Sequence, residues 1–242
     1  GIIPNFRKGI YHFFAILYLK DTQGFIMAHI HLEDGSFTVF WVLLWWLIAI
    51  LLIGIALYLL RSSKKPDPKK ITIAAFITTA AFAIFQVQVP VFGGVHLNLT
   101  PLIGILAGPL LGTLIIFIVN ILSAAIGHGG WGLVGANVLV NLSEVIVAWY
   151  VFRSMNKITS NKFSSAGVAA IISLFVGNLV MMAIILISGI QGVHQTPGEL
   201  FTGLSLLAAV NMGVAVIEAF ITGFIIVYIG KIRPDLLEGS KK

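Results

Sequence analysis

The chain has 242 residues, of which 58% are apolar and only 10% charged, and its mean hydropathy is +1.02. A soluble fold is excluded, because a globular protein must cover itself with polar groups and carries about one quarter charged residues. The net charge of +6 lies in short loops rather than in a basic stripe, which excludes nucleic acid as a partner, and the lack of cysteine excludes disulfides and thiolate metal sites.

Residues 1–26 stand apart from the remainder of the chain. They hold Arg7, Lys8 and Lys20 around an apolar stretch, 10–19, that is too short to cross a bilayer. The expectation is a boundary at Met27, with translation starting there and 1–26 an over-extended reading frame or a removed leader. Beyond it, apolar runs are expected as helices at 37–60, 71–89, 97–126, 133–152, 166–190 and 203–229. The first has no charged residue and spans roughly 36 Å as a helix, enough for a hydrocarbon core of about 30 Å. Lys and Arg after Met27 fall in 61–70, 153–162 and 231–242, whereas 90–96, 127–132 and 191–202 have none.

Basic loops stay in the cytoplasm, so an even number of crossings must separate Lys70 from Arg153. Run 97–126 therefore counts as two crossings, broken at Gly108-Pro109, where proline removes a helix hydrogen bond and restricts its predecessor. The expected fold is an all-α, polytopic membrane helical bundle of about seven transmembrane segments, with the N-terminus outside and the C-terminus cytoplasmic. Residues 27–230 form one transmembrane substrate-binding domain and 231–242 a cytoplasmic tail. The third crossing is a short helix completed by loop backbone that the protein itself shields.

Five histidines (His29, His31, His96, His128 and His194) fall on the outer side of this topology. Met27-Ala28-His29-Ile30-His31 is the sharpest signal. A free amine, a backbone amide and a nearby imidazole close chelate rings around one ion, with His29 second or third in the mature chain. Nitrogen sites of this kind suit Ni(II) and Cu(II), and imidazole also serves cobalt and zinc. The uncharged loop 86–101, with Gly93 and Gly94, adds His96 as an imidazole from elsewhere in the chain. Inside the spans, Asn137, Asn141 and Glu144 form one helix stripe, with Asn120, Asn178, Asn211 and Glu218 in other runs. They read as interhelical hydrogen-bonding groups, or as a polar path or the support shell of a metal-ligand loop, for which Asn137, Asn141 and Glu144 are the candidates. No HExxH, GxSxG, P-loop or dinucleotide fingerprint is present, so the chain cannot power transport by nucleotide hydrolysis on its own.

MAHIHLEDGSF at 27–37, PVFGGVHLNLTP at 90–101 and GWGLVGANVLVNL at 130–142 together resemble the CbiM/NikM family. These are the substrate-binding membrane components of energy-coupling-factor transporters for cobalt and nickel. The resemblance runs from Met27 to about Ile229. It implies Co(II) or Ni(II) as transported substrate, with no permanent cofactor. It implies a metal held by the amino-terminal amine, the backbone nitrogen and imidazole of a second-position histidine, and a histidine of the loop after the second span. Here those become Ala28 (once Met27 is removed), His29 and His96, with His31 nearby. The insertion of Ala28 departs from the family pattern. The implied partners are a transmembrane coupling subunit, cytoplasmic ATPase subunits and a small accessory membrane subunit, in the cell membrane, often serving cobalamin synthesis. Competing readings are a membrane component for another small substrate such as a vitamin, an intramembrane acid/base enzyme using Glu144 or Glu218, and a scaffold.

Overall fold

A computed structural model of the protein describes residues 35–62, 68–85, 88–89, 95–127, 130–192 and 196–237. Six α-helices succeed one another: α1 Val39–Ser62, α2 Pro68–Phe85, α3 Thr100–Ala125, α4 Val134–Ile158, α5 Lys162–Ser188 and α6 Pro197–Ile232. Between α2 and α3 lies a small antiparallel pairing, Gln88 opposite His96 and Val89 opposite Val95. The apolar run 71–89 predicts helix to its end; α2 instead stops at Phe85, and the last residues join this pairing. Among the described residues, five helices are long and apolar enough to cross a membrane (the α4 region counted from Trp131), and α2 adds a shorter apolar stretch, Ala75–Ile84. This is a multi-pass membrane protein.

The helix starts obey local chemistry. Asn161 caps α5 by accepting from the backbone N–H groups of Phe163 and Ser164. Thr196 and Glu199 form a reciprocal capping box ahead of α6, with Pro197 in the first turn, where its missing N–H costs nothing. That box starts α6 six residues before the apolar run that announces it. At 36 residues α6 is roughly 54 Å long, so it outreaches a bilayer core.

Helix α4 is central: 61% of its apolar window is buried, against 22% for α1. Its amino-terminal end packs against α1 so closely that a Cβ on Gly135 would lie 2.5 Å from the Trp46 backbone nitrogen. Aromatic groups collect at this end. Trp41 stacks on Trp45, the Trp45 indole donates to Ser188 Oγ at 2.9 Å, and the Trp46 indole donates to the Trp131 carbonyl at 2.9 Å. Arg61, Lys157 and Lys231 lie in the last turns of α1, α4 and α6, and Lys162 opens α5 beside Gly230.

The expected break inside run 97–126 is present, and it is a reversal. Gly108 has φ 73° and ψ 178°, outside helical space, immediately before Pro109. Side chains on both flanks meet the same residue: a Cβ on Gly104 would collide with the Val145 carbonyl, and one on Gly112 would lie 2.6 Å from Val145 Cγ1 and 3.7 Å from Ile103 Cγ2. In a straight helix residues 104 and 112 are about 12 Å apart along the axis. The chain instead runs to the level of Trp149, which Gly108 approaches, and returns along α4 until Ala124 packs with Val134 and Val138. Helix α3 is a hairpin of a short first arm, residues 100–107, and a longer second arm, residues 109–125.

Candidate functional site

The short arm begins deep in the protein, and its start is the most polar place in the core. Leu99, at φ 47°, is the N-cap position and makes no side-chain cap, so its N–H and that of the residue before it need an outside acceptor. Glu218 of α6 supplies it: the backbone N–H groups of Asn98 and Leu99 donate to its Oε1 and Oε2 at 2.9 and 3.2 Å. Asn98 also donates from Nδ2 to Oε2 of Glu144 on α4 at 3.0 Å. Asn98 is 1% exposed, and Glu144 and Glu218 are 2% each. A carboxylate facing helix N–H groups is a favourable arrangement, and here it lets non-helical backbone exist at membrane depth.

Glu144 lies where it does because α5 has no side chain opposite it. A Cβ on Gly177 would sit 2.6 Å from Glu144 Cγ and 2.7 Å from Cδ. Next to the carboxyl groups the polar chain continues between α5 and α6. Asn211 Nδ2 donates to Asn178 Oδ1 at 2.8 Å, and Asn178 Nδ2 donates to the Leu174 carbonyl at 2.9 Å. Glu144, Asn178, Asn211 and Glu218 line one cavity of about 20 Å³ together with Gly177, Met181 and apolar neighbours.

The structure thus joins several of the polar residues that stand out within the spans. The hydrogen-bonding role expected for Asn178, Asn211 and Glu218 is what the geometry has. Asn120 behaves differently, donating to the Ile116 carbonyl of its own helix at 2.7 Å. Within the stripe Asn137, Asn141 and Glu144, the last two are buried and Asn137 is half-buried; Glu144 is the one joined to the loop segment. Asn98 does not stand out in the sequence, although Leu-Asn-Leu-Thr-Pro is a polar group set just before a Thr-Pro helix start.

Of the expected metal ligands, Ala28, His29 and His31 lie outside the described residues, as do His128 and His194. His96 is placed by its backbone opposite Gln88, two residues before Asn98. Among the described residues no three His, Cys, Asp or Glu side chains gather as a metal site.

Comparison with known proteins places this arrangement in context. The model of the CbiM family, described as the cobalt uptake substrate-specific transmembrane region, matches residues 31–236. The putative cobalt transport protein CbiM 1 of Methanosarcina barkeri is 23% identical over 211 residues, 86% of this chain and 91% of its own. The cobalt transport protein CbiM of Sorangium cellulosum is 25% identical over 214 residues, 86% of this chain and 94% of its own. A putative fused nickel transport protein NikMN of Archaeoglobus fulgidus is 26% identical over 214 residues, with 86% and 68% covered. A crystal structure of a transition metal transporter superposes with a TM-score of 0.70 at 17% identity, covering 84% of this chain and 93% of that one; at that identity the likeness is one of fold.

Proposed function

The chain belongs to the CbiM family, and on that premise we propose that it is the metal-capturing membrane subunit of an energy-coupling-factor importer for cobalt or nickel. The substrate, Co(II) or Ni(II), is held by the mature amino terminus at Ala28, by the backbone nitrogen and imidazole of His29, and by the imidazole of His96. His31 stands beside this set. The observation that carries the reading is the anchor under the His96 loop. Two and three residues after His96, Asn98 and Leu99 are tied to Glu144 and Glu218 on two different helices. A metal ligand on a loop needs such support, because outer partners orient it and tune its affinity. Glu144 supplies that support through Asn98, and Asn137 and Asn141 continue its stripe toward the amino-terminal end of α4.

The basic last turns of α1, α4 and α6 face the cytoplasm, and the α3 hairpin supplies two of seven crossings. The loop carrying His96 is then extracytoplasmic, where metal is captured. Energy comes from partners: a transmembrane coupling subunit, cytoplasmic ATPase subunits and a small accessory membrane subunit.

Titration of purified protein with Co(II) and Ni(II) at fixed pH tests the reading, since protons compete for the same nitrogens. The parent is expected to bind near one equivalent. His29→Ala and His96→Ala are each expected to lose more than the roughly 10- to 100-fold that removal of an outer partner costs. A residue added ahead of Ala28 turns the amine into an amide and is expected to be as damaging as His29→Ala. Parent-like binding by both the His29 variant and the extended chain would remove the amino-terminal site.

A further inference from the structure

The cavity beside the loop anchor has an unusual balance of charge and hydrogen bonding. Its lining includes two carboxyl groups, Glu144 and Glu218, and no Lys, Arg or His. The two are not equally compensated. Glu218 accepts two backbone N–H groups at the start of the short α3 arm, where the helix end itself carries about half a positive charge. Glu144 meets only neutral donors, the Asn98 carboxamide and the Thr100 hydroxyl. One carboxyl group at membrane depth is therefore left without a counter-charge, an arrangement costly enough that such groups are paired when found.

The remaining valences point the same way. Asn211 is 6% exposed, lines the cavity, and its Oδ1 accepts no hydrogen bond from any described residue. A carboxylate offers about four acceptor sites, of which Glu144 uses two, toward Asn98 and Thr100, and Glu218 two among the described residues. The surplus is of oxygen acceptors, so the missing occupant is electropositive. Hard oxygen donors without imidazole or thiolate select hard ions rather than the transition-metal cargo. The volume of about 20 Å³ holds one water-sized particle. That leaves no room for the hydration shell that Mg²⁺ keeps.

We propose that this cavity binds one dehydrated monovalent cation of sodium size, held by the Glu144 carboxyl and the Asn211 carboxamide oxygen with Glu218 alongside. The ion joins α4 and α6 beside the segment that follows His96. It is a different ion from the cargo and does not depend on the amino-terminal ligand set.

The test uses the purified full chain without cobalt or nickel, so its failure leaves the metal-capture reading untouched. Radioactive sodium is expected to bind at about one per chain. Replacing choline chloride by sodium chloride is expected to raise the melting temperature by about 2–4 °C once sodium reaches about five times its dissociation constant, with potassium less effective. Asn211→Leu and Glu144→Gln are expected to abolish both signals, while Met181→Leu, which changes only the thioether in the lining, keeps them. Equal melting of the parent in sodium, potassium and choline, with no bound sodium, overturns the proposal, because water or a proton then fills the role; that result needs no variant to fold. A sodium effect that survives in both the Asn211 and Glu144 variants overturns it equally, by placing the ion elsewhere.

Discussion

Glu218 illustrates how one side chain permits an otherwise forbidden backbone. Its two oxygens take the Asn98 and Leu99 N–H groups, and a buried N–H left without an acceptor costs about 1–3 kcal/mol. Glu218→Gln presents an NH₂ group to one of them, and Asn98→Leu deletes the bond to Glu144. Both variants are expected to insert in the membrane yet to weaken Co(II) or Ni(II) binding by about 10- to 100-fold, read by titration. Unchanged affinity in folded protein would mean that the anchor does not serve the loop. Gly177→Ala should act through the same group from the α5 side, since the new Cβ overlaps the Glu144 carboxyl. Glu144 and Glu218 are visible in the sequence because ionisable residues inside apolar runs are rare. Their shared partner Asn98 is not, because no periodicity marks a residue that sits in non-helical backbone and acts through its own N–H.

At the scale of elements, the α3 hairpin depends on one conformation. Gly108, at φ 73° and ψ 178°, lies in a region nearly closed to residues with a Cβ, at a cost of about 1–3 kcal/mol. A Cβ there also meets Trp149 Nε1 at 3.3 Å. Gly108→Ala is expected to lower the melting temperature by about 2–12 °C. Gly54→Ala, in open space on α1, should leave it nearly unchanged and serves as the comparison. The break itself is legible, because Gly-Pro in an apolar run and the parity of basic loops both demand it. Its geometry is not, since a proline kink and a full reversal look alike in sequence. The helix ends are legible only where apolarity coincides with capping chemistry. For α6 the Thr196–Glu199 box, rather than the apolar run, marks the true start.

For the whole molecule, the gathering of basic residues at one end of the helices is the feature with the widest reach. Four of the five tryptophans gather where α1 and α4 begin, and Arg61, Lys157 and Lys231 sit where α1, α4 and α6 end. Single cysteines can be added to a chain that has none. An impermeant thiol reagent applied to intact cells is expected to label Gly127→Cys and Gln191→Cys but not Lys157→Cys or Lys231→Cys. Labelling at 157 without labelling at 191 would invert the orientation. The family is legible in three short motifs, whereas the internal polar chain from Asn98 to Leu174 depends on which helices become neighbours, a matter that no single run contains.

The bonds between Asn98, Leu99 and Glu218 also carry a consequence for biogenesis. Donor and acceptor are separated by 120 and 119 residues, so at ribosomal speeds Glu218 emerges on the order of ten seconds after the segment it completes. Through that interval the short arm of α3, residues 100–107, is too brief to span by itself, and its leading N–H groups lack their carboxylate. The arm therefore cannot take its final place as it is made. Its bonds to Glu218 can close only after α6 has been made, so the support of His96 is completed late in synthesis.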